Sequence, residues 1–203
     1  CPDIVSGCMD STASNYNFAA TEDDGSCTYA APMQNLFFSE YAEGSSNNKY
    51  LEIYNPSSEA VSLSDYAFPS ASGGADGSYE YWNTFDDGAE VPANGVYIIS
   101  HPSADAIILA QAGMTHQYLS NGDDGYSLAY GTEGNYIILD MIGDFGPDPG
   151  SGWEVAGVSN GTKDHTLVRK CFIEQGNADW TASAGTSDED SEWIVLVLSL
   201  IHI

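Results

Sequence analysis

Basic side chains are almost missing from this chain. Four Lys and Arg stand against 30 Asp and Glu in 203 residues, giving a formal net charge of −26. Lys49 is the only one in the first half. Nucleic-acid binding relies on cations that displace counterions from closely spaced phosphates, and attraction to anionic lipid headgroups needs the same cations. Direct nucleic-acid contact is therefore not expected. Long apolar runs are scarce too. The longest, "IVLVLSLIHI", has ten residues and ends the chain, half of the about 20 that a spanning helix requires. No membrane insertion is expected.

Catalytic signatures are also lacking. There is no H-E-x-x-H, no phosphate loop and no nucleophile motif. His101, His116 and His165 stand apart, and Cys171 beside Lys170 reads as a lone thiol. The expectation is a chain that is not an enzyme and has no certain cofactor. Nor is there a βαβ rhythm, which argues against a parallel sheet.

What is present divides into two textures. Residues 1–30 carry three of the four Cys and many turn residues, and residues 31–35 form a short linker. Clustered cysteines point to a local disulfide and an oxidising, extracytoplasmic setting, secreted or at a cell surface. Cys8 and Cys27 bracket "MDSTASNYNFAATEDDGS". A bridge between them closes a loop of about 20 residues, worth roughly 3 kcal/mol in the chain-entropy picture. With few apolar groups nearby, that staple decides whether the segment folds. The start at Cys1 with no visible signal peptide reads as a fragment of a longer protein, with neighbouring domains as partners.

From residue 36 to 196, short strand-like runs recur between Gly, Pro, Asn and Asp clusters: 36–41, 50–55, 60–68, 79–85, 95–100, 116–119, 125–130, 135–142, 153–157 and 165–170. In "YLEIYN" (50–55), Leu51 and Ile53 share one face and Glu52 and Tyr54 the other. Many short strands predict an all-β sandwich or barrel. One short helix is expected over "SADAIILAQAG", with Ser103 as N-cap and Gly113 as the stop. Residues 197–203 break the alternating pattern and read as an apolar tail, either foreign to the domain or a very apolar closing strand.

Oxygen-rich clusters supply the candidate metal ligands. Asp10, Asp23 and Asp24 in the first segment, and Asn121, Asp123 and Asp124 in "SNGDDGYSL", suit Ca²⁺, which takes six to eight oxygens. Asp140, Asp144 and Asp148 in "LDMIGDFGPDPGSGW" are further donors. The competing reading is turn chemistry, which Asn and Asp perform routinely. Glu40, Glu43 and Glu52 gather around Lys49, and Glu40 and Glu52 are expected to lie near each other across two strands. They read as a solvated or Lys-paired hairpin face rather than a catalytic pair. The four Trp are expected to pack in the core or an interface. The Tyr-rich "YEYWNTF" leaves carbohydrate binding open as an alternative.

Two resemblances add to this reading. Gly7-Cys8, Asp10, Ala13, Asn15-Tyr16, Ala20 and Asp23-Asp24-Gly25-Ser26-Cys27 resemble a short Cys-containing repeat of large secreted bacterial surface proteins. Ser14 departs from it, since many copies carry Cys there, which leaves Cys1 free or paired upstream. "LFFSEYAEGSSNNKYLEIYN", "GVYIIS", "NGDDGYSL", "NYIILDMIGDFGPDPGSGW", "HTLVRK" and "ADWTASAGTSDEDSEW", in that order, resemble the bacterial lamin-tail domain over about 35–196. That family implies an immunoglobulin-like, non-catalytic β-sandwich. It accompanies secreted hydrolases such as nucleases or phosphatases, adhesin-like repeats and surface-attachment signals. The implied function is a binding or spacer module for a surface, matrix or glycan ligand. An accessory domain of a secreted hydrolase is the alternative.

Overall fold

A computed structural model describes residues 4–11, 13, 15–27 and 35–197. The chain falls into two compact units, Cys1–Met33 and Gln34–Ile203.

In the first unit, β1 (Ser6–Gly7) and β2 (Glu22–Asp23) pair in parallel, Ser6 opposite Glu22. The Cys8–Cys27 disulfide is formed, with 4.7 Å between Cα atoms. Asn17 N–H donates to Cys8 O (2.9 Å) and Thr21 N–H to Val5 O (2.8 Å). Cys8 and Ala13 are the buried hydrophobics among the described residues here, while Phe18 is 87% exposed. A covalent staple thus takes the place of a core.

The second unit contains β3 (Phe37–Glu43), β4 (Lys49–Tyr54), β5 (Val61–Ser62), β6 (Tyr66–Ala67), β7 (Ser70–Ala71), β8 (Glu90–Val91) and β9 (Val96–Ser100). They are followed by α1 (Ala106–Leu109), β10 (Met114–Thr115), β11 (Gly125–Thr132), β12 (Asn135–Ile142), β13 (His165–Arg169), α2 (Trp180–Ala184) and β14 (Trp193–Val197). One sheet has the order β10-β9-β4-β3-β13-β14; a second joins β12, β11 and β6, with β7 also on β11; β5 and β8 form a small third. All pairs in this unit are antiparallel except β10 on β9.

Period-2 alternation builds the core. Phe38, Tyr41, Leu51, Ile53, Ile99 and Leu167 from the large sheet meet Tyr66, Phe68, Tyr126, Leu128 and Ile142 from the second in one buried cluster. Ala42, Tyr50 and Ile98 form a separate cluster with Ala104 and Ile108 of α1 and its approach, so the helix packs on the large sheet. A bulge between Phe38 and Glu40 inserts Ser39 and resets which side chains face inward. In the first hairpin, a Cβ on Gly44 would stand 2.3 Å from Asn48 O, so the tight loop admits only glycine there.

Several sequence expectations are corrected. The helix is one turn long, because Ser103 N–H donates to His101 Nδ1 and Gly113 N–H returns to Ile98 O on the sheet. The residue before the turn is Asp105, not Ser103, and its side chain bonds Asn48 instead of capping. Segment 79–85 pairs with β6 and β7 as two isolated bridges, Ala67–Thr84 and Ser70–Tyr81, and not as a continuous strand. Residues 153–157 form no strand, since Ala156 and Gly157 take positive φ (54° and 78°). Residues 116–119 run beyond β10 as an irregular wall. A second helix, α2, was not foreseen; Asp179 caps it by accepting from Ala182 N–H (3.1 Å). Val197, placed in the tail by pattern, sits opposite His165 in β14; residues 198–203, Cys1 and Ser14 lie outside the described residues.

Candidate functional site

Among the described residues the most deeply buried charged group is Asp140, fully enclosed. Its Oδ2 accepts from Phe38 N–H (2.8 Å) and from Arg169 Nη2; its Oδ1 accepts from Met141 N–H (3.0 Å) and Asn177 N–H (2.9 Å). Burial pushes the carboxyl up from its ordinary value, opposed by Arg169 and these backbone donors. Four donors and no acceptor surround it, which fits the carboxylate. Arg169 also donates to Phe38 O (3.1 Å), Ser183 Oγ (3.1 Å) and Glu192 Oε2 (2.5 Å), and its guanidinium lies 3.8 Å from the Trp193 ring centroid. Asp140 is thus no loop cation ligand; it fastens the second sheet to the first.

A second clamp sits at the other end of β3. Lys49 Nζ is 3.1 Å from Glu43 Oε1 and donates to Ser120 O. Glu43 also accepts from Asp164 N–H. Tyr41 Oη lies 2.6 Å from Ser120 Oγ and 2.9 Å from Thr162 O, joining the two loops that flank it. A Cβ on Gly122 would meet Lys163 Cβ at 2.6 Å, so these loops interlock through glycine.

Glu40 and Glu52 do stand opposite each other in the β3–β4 register. Lys49 does not come between them. Tyr50 Oη donates to Glu40 Oε2 (2.8 Å) and Ser39 Oγ to Glu52 Oε1 (2.7 Å). Glu40 and Glu43 are buried, not solvated. Burial raises the Glu52 pKa from its ordinary value, the Ser39 hydrogen bond opposes this, and Glu40 adds to it. A raised folded-state pKa means that stability is gained as pH falls through it, and that the cost is complete above it. Glu52→Gln keeps the Ser39 contact and removes one charge. It is expected to raise stability at neutral pH by roughly 0.2–1 kcal/mol, with the advantage shrinking on acidification. Melting temperatures of both proteins against pH check this.

Next to the second clamp a cleft of about 650 Å³ opens. Its floor includes Ser70 and Ala71 of β7 with Tyr126, all buried. One wall carries Tyr81 and Asn83; the facing wall runs from His116 to Leu119. Asn83 Nδ2 donates to Phe68 O (3.0 Å) and Ser70 Oγ (2.9 Å). Tyr126 Oη donates to Tyr118 O (3.0 Å), and the His116 ring packs edge-on against Phe68 and Tyr118. Burial lowers the His116 pKa, with His101 adding to it, which favours the neutral imidazole. Asn121 and Asp124 close one end.

Of the candidate ligands, Asn121, Asp123 and Asp124 share this end loop. Asp124 Oδ1 accepts from Gly73 N–H (3.1 Å). Burial raises its pKa, neighbouring Asp123 adding to it. Asp123 Oδ1 is buried without a hydrogen-bond partner. In the first unit, Asp23 Oδ1 and Asp24 Oδ1 accept from Gly25 N–H (3.2 Å) and Ser26 N–H (2.9 Å), the Asx-turn geometry. Hydrogen bonds from Ser26 hold the exposed Asp24 below its ordinary pKa. Asp10 O accepts from Ala13 N–H (3.0 Å). Asp144 and Asp148 likewise accept from Gly146 and Gly150 N–H (2.7 and 2.6 Å). Among the described residues, no group of three or more His, Cys, Asp or Glu is placed to share a metal.

The Trp expectation divides. Trp193 and Trp180 are buried and form a chain with Trp153, centroids 6.5 and 6.4 Å apart. Trp82 is half-buried and meets Tyr79 and Tyr136 instead.

Two sheets closed over one apolar core, with buried charges used as internal clamps, define an immunoglobulin-like β-sandwich. The chain belongs to the lamin tail domain family, whose model matches residues 30–143. No curated protein and no solved structure matches it. The matched segment ends after β12, yet β13 pairs with β3 and carries Arg169, so the later strands complete the same sandwich.

Proposed function

We propose that this chain is a non-catalytic binding and spacer module of a secreted or cell-surface bacterial protein, holding or presenting neighbouring domains. The cleft carries the reading: it is open, of ligand-sized volume, and walled by exposed rings and amides. The buried Lys49–Glu43 pair beside the cleft holds the loops at Ser120 and Asp164. The Cys8–Cys27 bridge supports an oxidising compartment, and the first unit reads as one copy of a Cys-bearing surface repeat.

A second reading, Ca²⁺ at the Asn121–Asp124 loop, is favoured by the unpartnered Asp123 Oδ1. One experiment addresses both. The purified chain, immobilised on beads, is offered extracellular matrix and cell-surface extracts with Ca²⁺ or with chelator, alongside phosphoester, peptide and glycoside substrates. Retention of a surface component with no substrate turnover is the expected result, and loss in chelator would bring in the ion. Turnover that disappears in a point variant of this chain would overturn the proposal.

A further inference from the structure

We infer that the cleft between segment 79–85 and residues 116–121 binds a neutral, hexose-containing oligosaccharide. The inference rests on the non-catalytic binding reading and names its ligand class.

Three observations carry it. First, rings flank the opening with their surfaces free: Tyr118 is 79% exposed and Tyr81 57% exposed. Both hang from fixed backbone, Tyr118 through the Tyr126 hydroxyl on its carbonyl and Tyr81 through its bridge to Ser70. A sugar presents C–H groups on one face and hydroxyls around its rim. An aromatic face takes the first, because its electron-rich surface attracts polarised hydrogens.

Second, the polar groups within reach suit hydroxyls. Asn83 uses both amide hydrogens internally, which leaves its carbonyl oxygen as an acceptor. Gln117 and Asn121 are exposed amides that both donate and accept. Asp124 accepts from Gly73 N–H and bonds the Ser72 side chain and Asn121 backbone, and a carboxylate with about four lone-pair sites still has room for one hydroxyl. Side chains already fixed by internal bonds lose little freedom on binding, which favours recognition.

Third, charge selects against other ligands. No Lys or Arg lines the cleft. Asp124 with Asp123 behind it, in a chain of net charge −26, repels phosphates, sulfates and uronic acids. The neutral His116 supplies no counter-charge.

The test is an array of neutral, acidic and amino-bearing oligosaccharides probed with the whole chain, followed by calorimetry and mass spectrometry of the recovered glycans. Retention of neutral hexose-containing glycans is expected. Tyr118→Ala should weaken that binding about tenfold, as loss of a stacking ring implies, with an unchanged melting temperature because the side chain is exposed. Trp82→Ala, outside the cleft, should bind like the parent protein. No retention of neutral glycans, preference for acidic ones, or full affinity in Tyr118→Ala overturns the sugar site and leaves the non-catalytic reading standing. A shortened glycan in the mass spectrum overturns that reading, and with it the proposal that rests on it.

Discussion

Arg169→Met is expected to destabilise the sandwich by about 3–5 kcal/mol, the usual cost of removing one partner from a buried ion pair. The variant leaves Asp140 fully enclosed with its backbone donors but no counter-charge. It also frees Ser183 and Glu192 from a shared donor and strips the guanidinium from the Trp193 ring. Asp140→Asn should cost a similar amount from the other side, since Arg169 then stays buried beside a neutral amide. Arg169→Lys should rescue little, because a point charge cannot reach Asp140, Phe38 O and Glu192 together as the planar fork does. Replacing both partners with apolar residues should recover much of the loss, because desolvation no longer has to be offset. In a domain of this size each kcal/mol moves the melting temperature by roughly 2–4 °C. Thermal and urea denaturation of the three single variants and of the doubly apolar variant measures these losses and the recovery. Single losses below about 1 kcal/mol, the range of surface pairs, would show that the network does not hold the sheets together.

Reduction of the Cys8–Cys27 bridge is expected to unfold the first unit while the second stays native. The chain-entropy contribution of a loop of this length, roughly 3 kcal/mol, exceeds what a cluster of Cys8 and Ala13 can replace. β1 and β2 contribute one two-residue parallel pair and little else. Hydrogen exchange with and without reductant reads this directly. Residues 4–27 should lose protection under reductant, and residues 37–43 and 165–169 should keep theirs. Protection retained in the first unit after full reduction would mean that its turns suffice without the staple.

The sandwich was legible because alternation is a local property. β3, β4, β9, β11, β12 and β13 all fall within a few residues of the runs that show it. The Cys8–Cys27 pair was legible for the same reason, since the cysteines bracket one turn-rich segment. Long-range polar contacts were not. Asp140 looked like a loop oxygen donor, and only the partner 29 residues away, Arg169, turns it into a clamp between sheets. Asn55 is similar. Its amide ties the loop after β4 to Val91 O, 36 residues on, and nothing in "YNPSSEA" announces that. The cleft escaped notice because its walls come from segments 79–85 and 116–121, which lack regular pairing. The YEYWNTF run did draw attention as a sugar platform, though Tyr81 rather than Trp82 lines the opening.

The order of the large sheet places β13 between the first and last strands of the second unit, β3 and β14. Both pair antiparallel with β13, so they run in the same direction. The backbone therefore enters at one end of this sheet, at Phe37, and leaves at the opposite end, at Val197. Tension along the chain would pull these ladders in shear, straining many hydrogen bonds at once instead of unzipping them singly. A sheet loaded this way resists mechanical stretching along the chain.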